Sequence, residues 1–280
     1  MDIATSKNGR RGLIALFVVL LLFLYTPLVV LVGSSFTTSN TPQFPPRDFS
    51  VSAYQQFASN PELKASLLTS AKVATFASVL TVALGILAAI VLVRRHFLGR
   101  SGISALFLSP LVIPYIALAI GLLIFLNEAP IVEPGMSAIV IGHVVLSIPY
   151  AILILVPRLE RVDATLEEAA RDLGAGSLQT FRLITFPLIF PAIVSAFIVS
   201  FVLSFDEIVV ASFVNGTTTT FPLYLFSQVR FPELLPQVIA VAVIIMAASA
   251  LLLVGAELGR RMVERRIAAD LAEPAPSAGA

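Results

Sequence analysis

Six long apolar stretches dominate the sequence and limit the structures that it can adopt. They cover residues 13–32, 67–93, 103–126, 137–156, 188–214 and 237–255. Each is about as long as the ~20 residues that a helix needs to cross the hydrocarbon core of a bilayer. Since that core offers no water to the backbone, each span must satisfy its N–H and C=O groups internally, as a helix does. We therefore predict an all-α membrane protein with six transmembrane helices.

The composition agrees with this class and excludes several kinds of chemistry. Of the 280 residues, 58% are hydrophobic and 12% are charged, which is about half the charged fraction of a soluble domain. The chain has no cysteine and two histidines, so disulfides, thiolate ligands and histidine-rich metal sites are excluded. We expect no metal and no cofactor in this chain. No basic strip suits nucleic acid, so we expect no nucleic-acid partner.

The basic residues predict how the chain crosses the membrane. Of the 18 Lys and Arg residues, 14 fall in the terminal segments and in the loops that would share their side of the membrane. The exceptions are Arg47, Lys64, Lys72 and Arg230. Because basic residues concentrate in cytoplasmic loops, we predict that both termini are cytoplasmic. The predicted divisions are an N-terminal segment (1–12), a membrane domain (13–259) and a C-terminal tail (260–280).

A polar loop, residues 157–187, separates the fourth span from the fifth. Thr165 and Glu168 have the spacing of a capping box, and Gly174 suits the left-handed residue that ends a helix. Ser177 is placed to cap a second helix over residues 178–184. The pattern predicts two short helices meeting at a bend, a shape suited to a groove on a soluble partner. The alternative is an ordinary capped loop helix that contacts lipid headgroups.

Part of this loop resembles a known motif. Its residues follow the spacing E-A-A-x3-G-x9-I-x-x-P, with Glu168, Ala169, Ala170, Gly174, Ile184 and Pro187 at the fixed positions. The spacing resembles the cytoplasmic EAA loop of permease subunits of bacterial ABC importers. The family form has Leu before the proline, where this chain has Phe186.

Four polar side chains within the spans are candidates for a solute path. Asp206 and Glu207 interrupt the fifth span, and intramembrane acids are costly unless they face a partner or a wet cavity. Either they line the path or they form a structural ion pair with Lys72.

The other two candidates lie in different spans. His143 in the fourth span lines the path or serves as a pH-sensitive group, or it forms a hydrogen bond to a neighbouring helix. Tyr115 in the third span either stacks on a cationic solute or serves packing.

A second resemblance concerns the solute. The run Ser204-Phe205-Asp206-Glu207 and the stretch 221–228 are similar to the spermidine/putrescine permease subfamily. Two features depart from that pattern. Related chains often carry an acid where this chain has Tyr115, and Lys72 places a cation in the membrane.

These resemblances imply a fold and a set of partners. The implied fold is that of a type I ABC importer permease (MetI-like), with cytoplasmic coupling helices between the fourth and fifth spans. The implied partners are a second, similar permease subunit, two ATP-binding cassette subunits that bind ATP and Mg, and an extracytoplasmic solute-binding protein. In that scheme alternating access occurs in the bacterial inner membrane, Glu168 anchors the coupling helix, and Gly174 sets its bend.

Three functions remain open from the sequence. The first is an importer permease for polyamines, and the second is the same machine for another solute, such as an amino-acid derivative or a phosphonate. The third is an ion-coupled secondary transporter that works alone. The chain has no G-x-x-x-x-G-K-S/T phosphate loop, so we expect it not to be an ATPase.

Overall fold

Long apolar helices and short connecting helices form the computed structural model, and no strand occurs in the residues that it describes. These are residues 7–37, 44–46, 48–129, 132–231 and 234–272. The helices are α1 (Lys7–Ser34), α2 (Ser52–Ser59), α3 (Pro61–Arg94), α4 (Arg100–Leu108), α5 (Tyr115–Glu128), α6 (Met136–Glu160), α7 (Ala164–Asp172), α8 (Ser177–Thr180), α9 (Phe186–Phe205), α10 (Val209–Val214), α11 (Phe221–Gln228) and α12 (Leu235–Ala272). The predicted all-α class is confirmed.

The predicted terminal segments are only partly described. Residues 1–6 and 273–280 lie outside the described residues. The remainder is helical, since α1 already begins at Lys7 and α12 continues to Ala272. The side of the membrane on which the termini lie stays a prediction.

Within the described residues, five helices are long and apolar enough to cross a membrane. They are Gly9–Ser34, Pro61–Arg94, Met136–Glu160, Ser177–Phe205 and Leu235–Gly259. They correspond to the first, second, fourth, fifth and sixth predicted spans.

The third predicted span is not one continuous helix. It consists of Arg100–Leu111 and Tyr115–Glu128, which are bent by 105° with respect to each other. Pro114 at the bend has an extended backbone (φ −55°, ψ 132°). A proline donates no N–H and disfavours helical geometry in the residue before it, so a break here follows from the sequence.

The fifth predicted span, residues 188–214, differs from the structure at both ends. Its helix already begins at Ser177 and passes through a π-helical segment, Phe181–Thr185, into α9. The predicted separate helix over 178–184 is therefore wrong, because it forms one helix with the span. At the other end α9 stops at Phe205, and α10 resumes at Val209.

The chain divides into two compact units, Met1–Lys64 with Leu225–Ala248 and Ala65–Tyr224 with Ser249–Ala280. In the first unit, the segment after α1 is tied to α2. The hydroxyls of Ser35 and Tyr54 lie 2.6 Å apart, and the rings of Phe36 and Tyr54 lie 5.4 Å apart.

The second unit holds the residues of interest, and two of its apolar clusters matter for their placement. One cluster joins α3, α5, α6 and α10, and the other joins α3, α6 and α9. Helix α6 belongs to both, contributing residues 138–146 to the first cluster and 151–159 to the second. Gly142 allows close packing in the first, because a Cβ there would collide with Val210 and lie 2.9 Å from Leu122.

Candidate functional site

A small cavity lies where the two discontinuous spans meet, and we call it the break cavity. It is lined by Tyr115, His143, Leu146, Ser147, Tyr150, Leu203, Ser204 and Glu207. Tyr115 is the first residue of α5 after the bend at Pro114. Ser204 and Glu207 flank the end of α9 at Phe205. Broken helices that meet inside a membrane protein often form its binding site.

The break cavity is too small for a solute in this structure. Its volume is about 30 Å³, which is room for roughly one water molecule. A solute could therefore enter only after the walls of the cavity move apart.

His143 is held between two neighbours inside this cavity. Its Nδ1 lies 2.7 Å from the hydroxyl of Ser204, and its Nε2 lies 3.1 Å from Oε2 of Glu207. The second contact is short, but its geometry is not that of a hydrogen bond. The His143 side chain is 1% exposed and that of Glu207 is 6% exposed. Because both are buried, water screens the interaction between them only weakly.

Glu207 also holds the start of α10. Its Oε1 accepts the backbone N–H of Val210 at 3.0 Å, and its Oε2 accepts that of Ala211 at 3.1 Å. A helix start leaves its first N–H groups without intrahelical partners. Glu207 satisfies two of them and closes the break from the α10 side.

The two adjacent acids differ in their surroundings. Glu207 is buried, whereas Asp206 is exposed and does not line the cavity. The predicted ion pair with Lys72 is wrong for Glu207, because the basic side chain that lies beside its carboxylate is His143. Lys72 itself is exposed. The structure thus brings together Tyr115, His143 and Glu207, and it leaves Asp206 at the edge.

The sequence reasoning missed part of this site. Tyr150 on α6 lines the cavity together with Tyr115, and Ser147 and Ser204 complete the polar wall. Ser200 and Ser204 recur four residues apart in α9, which is apolar apart from these two residues and Ser195, and both are buried. Such spacing places them on one helix face, a signal that could have found Ser204.

The second region of interest is the polar loop of residues 157–187, which we call the EAA loop. Its first helix, α7, begins earlier than predicted, because Asp163 rather than Thr165 is the N-cap. Oδ1 of Asp163 accepts the backbone N–H of Thr165 at 3.0 Å. This hydrogen bond holds the pKa of Asp163 below its usual range. The predicted capping box is therefore wrong.

Gly174 ends α7 as predicted. Its φ is +89°, the left-handed conformation that favours glycine. The N–H of Ala175 donates to the carbonyl of Ala170 at 3.0 Å, and that of Gly174 to the carbonyl of Arg171 at 2.9 Å. This pair of bonds is the Schellman arrangement. Ser177, the predicted cap of the next helix, is instead its first residue, and Gly176 precedes it without a side-chain cap.

A buried carboxylate anchors α7, and it belongs to Glu167. Its Oε1 accepts the hydroxyl of Thr185 at 2.8 Å and lies 3.1 Å from a terminal nitrogen of Arg94 at the end of α3. Arg171 lies 3.8 Å from its Oε2. The anchoring role predicted for Glu168 therefore falls to its neighbour, since Glu168 is exposed.

The EAA loop is also fixed to α6 and α9. The guanidinium of Arg158 donates twice to the carbonyl of Leu188, at 3.0 and 2.8 Å. Pro187 lies near the start of α9, just after the π-helical segment. Of the other motif residues, Ala169 and Pro187 are exposed, and Ala170 and Ile184 are half-buried.

Helix α7 turns its apolar side outward. Leu166, Ala169 and Leu173 recur at spacings of three and four residues and are all exposed, Leu173 to 90%. Such spacing puts them on one face, opposite the buried Glu167. Leu178 and Leu183, in the helix that follows, are exposed as well. We call these five residues the apolar face of the EAA loop.

A cleft of about 840 Å³ lies between the EAA loop and the end of α3. Its walls combine apolar residues of α3, such as Ile86 and Ile90, with Arg94, Glu168 and Phe181. Glu167 and Leu178 line the cleft as well.

Comparison with known proteins adds a family match. Residues 81–269 match the model of the family described as "Binding-protein-dependent transport system inner membrane component". The match covers both the EAA loop and the break cavity.

Two curated relatives are similar over most of their length. The putrescine transport system permease protein PotI of Escherichia coli strain K12 is 35% identical over 233 residues, covering 81% of this chain and 82% of PotI. The spermidine/putrescine transport system permease protein PotC of Haemophilus influenzae is 33% identical over 237 residues, covering 84% of this chain and 91% of PotC.

Two solved structures share the fold. A chain of a bacterial ABC transporter that imports the acidic polysaccharide alginate superposes with a TM-score of 0.70 at 18% identity, covering 90% of this chain and 98% of its own length. A chain of the MetNI methionine ABC transporter superposes with a TM-score of 0.53 at 18% identity, covering 72% of this chain and 94% of its own length.

Proposed function

The chain belongs to the family of binding-protein-dependent transport system inner membrane components, and we propose that it is the permease subunit of an ATP-driven polyamine importer. Its fold is that of ABC importer permeases, as the sequence predicted. The third hypothesis, a transporter that works alone, does not agree with a family whose members depend on a binding protein. In the complete proposal the chain works with a second permease subunit, two ATP-binding cassette subunits and an extracytoplasmic solute-binding protein.

The outward apolar face of the EAA loop is the observation that carries this proposal. Helix α7 has four charged residues among nine, ATLEEAARD. Burying these charges in the hydrocarbon core of the membrane would be costly, so we place α7 outside it. Leu173 and Leu178 nevertheless stand 90% and 79% exposed. Burying such a side chain against a partner contributes about 2 kcal/mol. An ATPase subunit with an apolar groove fits this surface.

Cysteine labelling tests the docking, because the chain has no cysteine of its own. Leu173→Cys should react with a maleimide in the isolated chain and become protected when the ATPase subunits are bound. Leu98→Cys is the matched control, since Leu98 is fully exposed between α3 and α4. Equal labelling of Leu173→Cys with and without the ATPase would overturn the docking.

The same labelling tests the orientation that we propose. With both termini and the EAA loop in the cytoplasm, Leu98→Cys, which lies in the loop between the second and third spans and is outside the docking surface, should react in intact cells only with a membrane-permeant maleimide. Thr217→Cys, at an exposed position beyond α10, should react with an impermeant reagent. The reverse pattern would overturn the orientation.

The polyamine assignment rests on the relatives and on the acids of the fifth span. PotI and PotC are named for putrescine and spermidine transport. Asp206 is an exposed carboxylate beside the break cavity, and Tyr115 at the cavity wall offers an aromatic face to a cation. An ammonium group that approaches this break would meet Asp206 before the buried Glu207.

Uptake by the complete transporter tests the solute. Proteoliposomes with the assembled complex and its binding protein should accumulate labelled putrescine when ATP is supplied. Butane-1,4-diol, which has the same carbon chain without charge, should not compete. Asp206→Asn should raise the putrescine concentration needed for half-maximal uptake, whereas Asp172→Asn in the EAA loop should not. Competition by the diol would point to a different solute class.

A further inference from the structure

The Ser204–His143–Glu207 chain of contacts crosses the break in the fifth span. Ser204 lies on α9 before the break, and Glu207 lies within it. His143 on α6 touches both, through Nδ1 at 2.7 Å and Nε2 at 3.1 Å. One imidazole therefore holds the two sides of the break against a helix that is itself continuous.

The carboxylate of Glu207 is already engaged from several directions. Each of its oxygens accepts one backbone N–H of α10, and Oε2 also faces His143. A solute ammonium would have to displace one of these contacts inside a cavity with room for about one water. Asp206 has no such set of contacts and is exposed. The two neighbouring acids are thus equipped for different tasks.

We propose that His143 and Glu207 are a positioning pair that fixes the break between α9 and α10, and that they act on transport through this geometry rather than by binding the solute. The inference rests on the proposed function, because it assigns roles within the proposed path. The charged and titratable groups around the imidazole are Glu207 at the break, Asp206 beside it, Tyr115 on α5 and Tyr150 on α6. The pair sets the distance between α6 and the break, and Asp206 is left to meet the solute.

The test is a double-mutant cycle on the assembled transporter in proteoliposomes, with putrescine as the probe. Glu207→Gln and His143→Gln should each lower the maximal uptake rate about tenfold or more. The putrescine concentration for half-maximal uptake should stay within about twofold. The double variant should be no slower than the slower single one, because the two side chains act as one unit. Asp206→Asn is the matched control. The effects of Asp206→Asn and His143→Gln on the uptake rate should multiply in the double variant.

Each other outcome counts against the proposal. If Glu207→Gln raises the half-maximal concentration and spares the maximal rate, Glu207 is a solute ligand. If the folded variants transport at the normal rate and only their thermal midpoint falls, the pair serves stability alone. Multiplicative effects of Glu207→Gln and His143→Gln would show that the two side chains do not act together.

Two further measurements keep the result interpretable. Ser204→Ala removes one contact of His143 and leaves its contact with Glu207. This variant replaces the others in the test if they fail to assemble. Ser204→Ala should lower the maximal uptake rate by a smaller factor than His143→Gln does. Combined with His143→Gln, it should cause no further loss of rate. The thermal midpoint of the complex is measured for every variant and does not depend on the solute. If the unmodified complex fails to take up putrescine, the solute assignment is at fault, and the cycle is read from the ATPase rate of the complete complex.

Discussion

The EAA loop and the break in the fifth span each carry two adjacent acids, of which one is buried and one exposed. In the loop these are Glu167 and Glu168, and in the fifth span Glu207 and Asp206. The buried member in each case joins neighbouring elements. Glu167 links α7 to Arg94 and Thr185, and Glu207 links α10 to His143. The exposed member is the one that a partner or a solute can reach.

The two anchors differ in how their charge is balanced. Arg94 carries its charge at every physiological pH, so Glu167 keeps its partner under all such conditions. His143 is a full cation only when it is protonated, so the balance at Glu207 depends on its state. Glu167 therefore faces a permanent cation, whereas Glu207 faces a titratable side chain and two backbone N–H groups of α10.

The regions also differ in what they leave unfinished. The EAA loop exposes Leu173 and its neighbours to water, and a bound partner would remove that surface. The break cavity keeps its polar groups inside and has no room for a solute. The EAA loop therefore needs a docked partner to bury its apolar face, whereas the break cavity has to widen before a solute can enter. The variants below break or sharpen this contrast, in order of expected effect.

Gly174→Val should have the largest effect. At φ +89° a β-branched side chain is strained, although a Cβ there would meet no atom within 4 Å. We expect uptake to be abolished and ATPase stimulation to be lost, with the membrane helices intact by circular dichroism. Gly176→Val is the matched control, because Gly176 has φ −68° and similar open space. Full uptake by Gly174→Val would contradict the need for this bend.

Glu167→Gln should have the next largest effect and should exceed that of Glu168→Gln. Removing the buried charge leaves Arg94 without its counter-ion, which costs about 3 kcal/mol in buried pairs. The exposed neighbour should change stability by no more than ~0.5 kcal/mol. The measurement is the rate of limited proteolysis within the EAA loop. Equal rates for the two variants would mean that the buried acid is not the anchor.

Sequence reasoning predicted the number of apolar segments, the glycine bend and three of the residues that meet in the break cavity. It named Glu168 as the anchor, whereas the structure has Glu167. Adjacent helix positions point about 100° apart, so a shift of one residue exchanges a buried acid for an exposed one. A motif marks the helix, but only tertiary packing decides which of its faces is covered.

Two other features depended on contacts between distant residues. His143 and Glu207 are 64 positions apart in sequence, and Lys72 was an equally available cation for the acid on composition alone. The 105° bend in the third span is explained by Pro114 once the structure is known, but its size could not be predicted from the proline alone. Prolines in membrane helices are often accommodated with smaller kinks, and Pro149 and Pro191 lie within unbroken helices here.

Leu173→Ser should weaken ATPase binding without changing the stability of the isolated chain. The side chain contacts water in this structure, so its loss removes burial only in the complex. We expect binding to weaken about tenfold, which corresponds to ~1.4 kcal/mol. Titration of the detergent-solubilised chain with the ATPase subunit measures it, with Leu98→Ser as the control. An unchanged affinity would place the docking surface elsewhere.

The smallest effect should come from the cap of α7. The hydrogen bond from the Thr165 N–H keeps the pKa of Asp163 below its usual range. A lowered carboxyl pKa means that the cap contributes fully above the usual value and is lost as the pH falls through the lowered one. Hydrogen exchange at the Thr165 amide should therefore be slow at neutral pH and should lose protection only in acid. Asp163→Asn, which does not titrate but accepts the same bond, should remove that acid-dependent loss, and Asp163→Ala should lack the protection at every pH. If Asp163→Ala were as protected as the unmodified chain, α7 would be held by Glu167 and Gly174 alone.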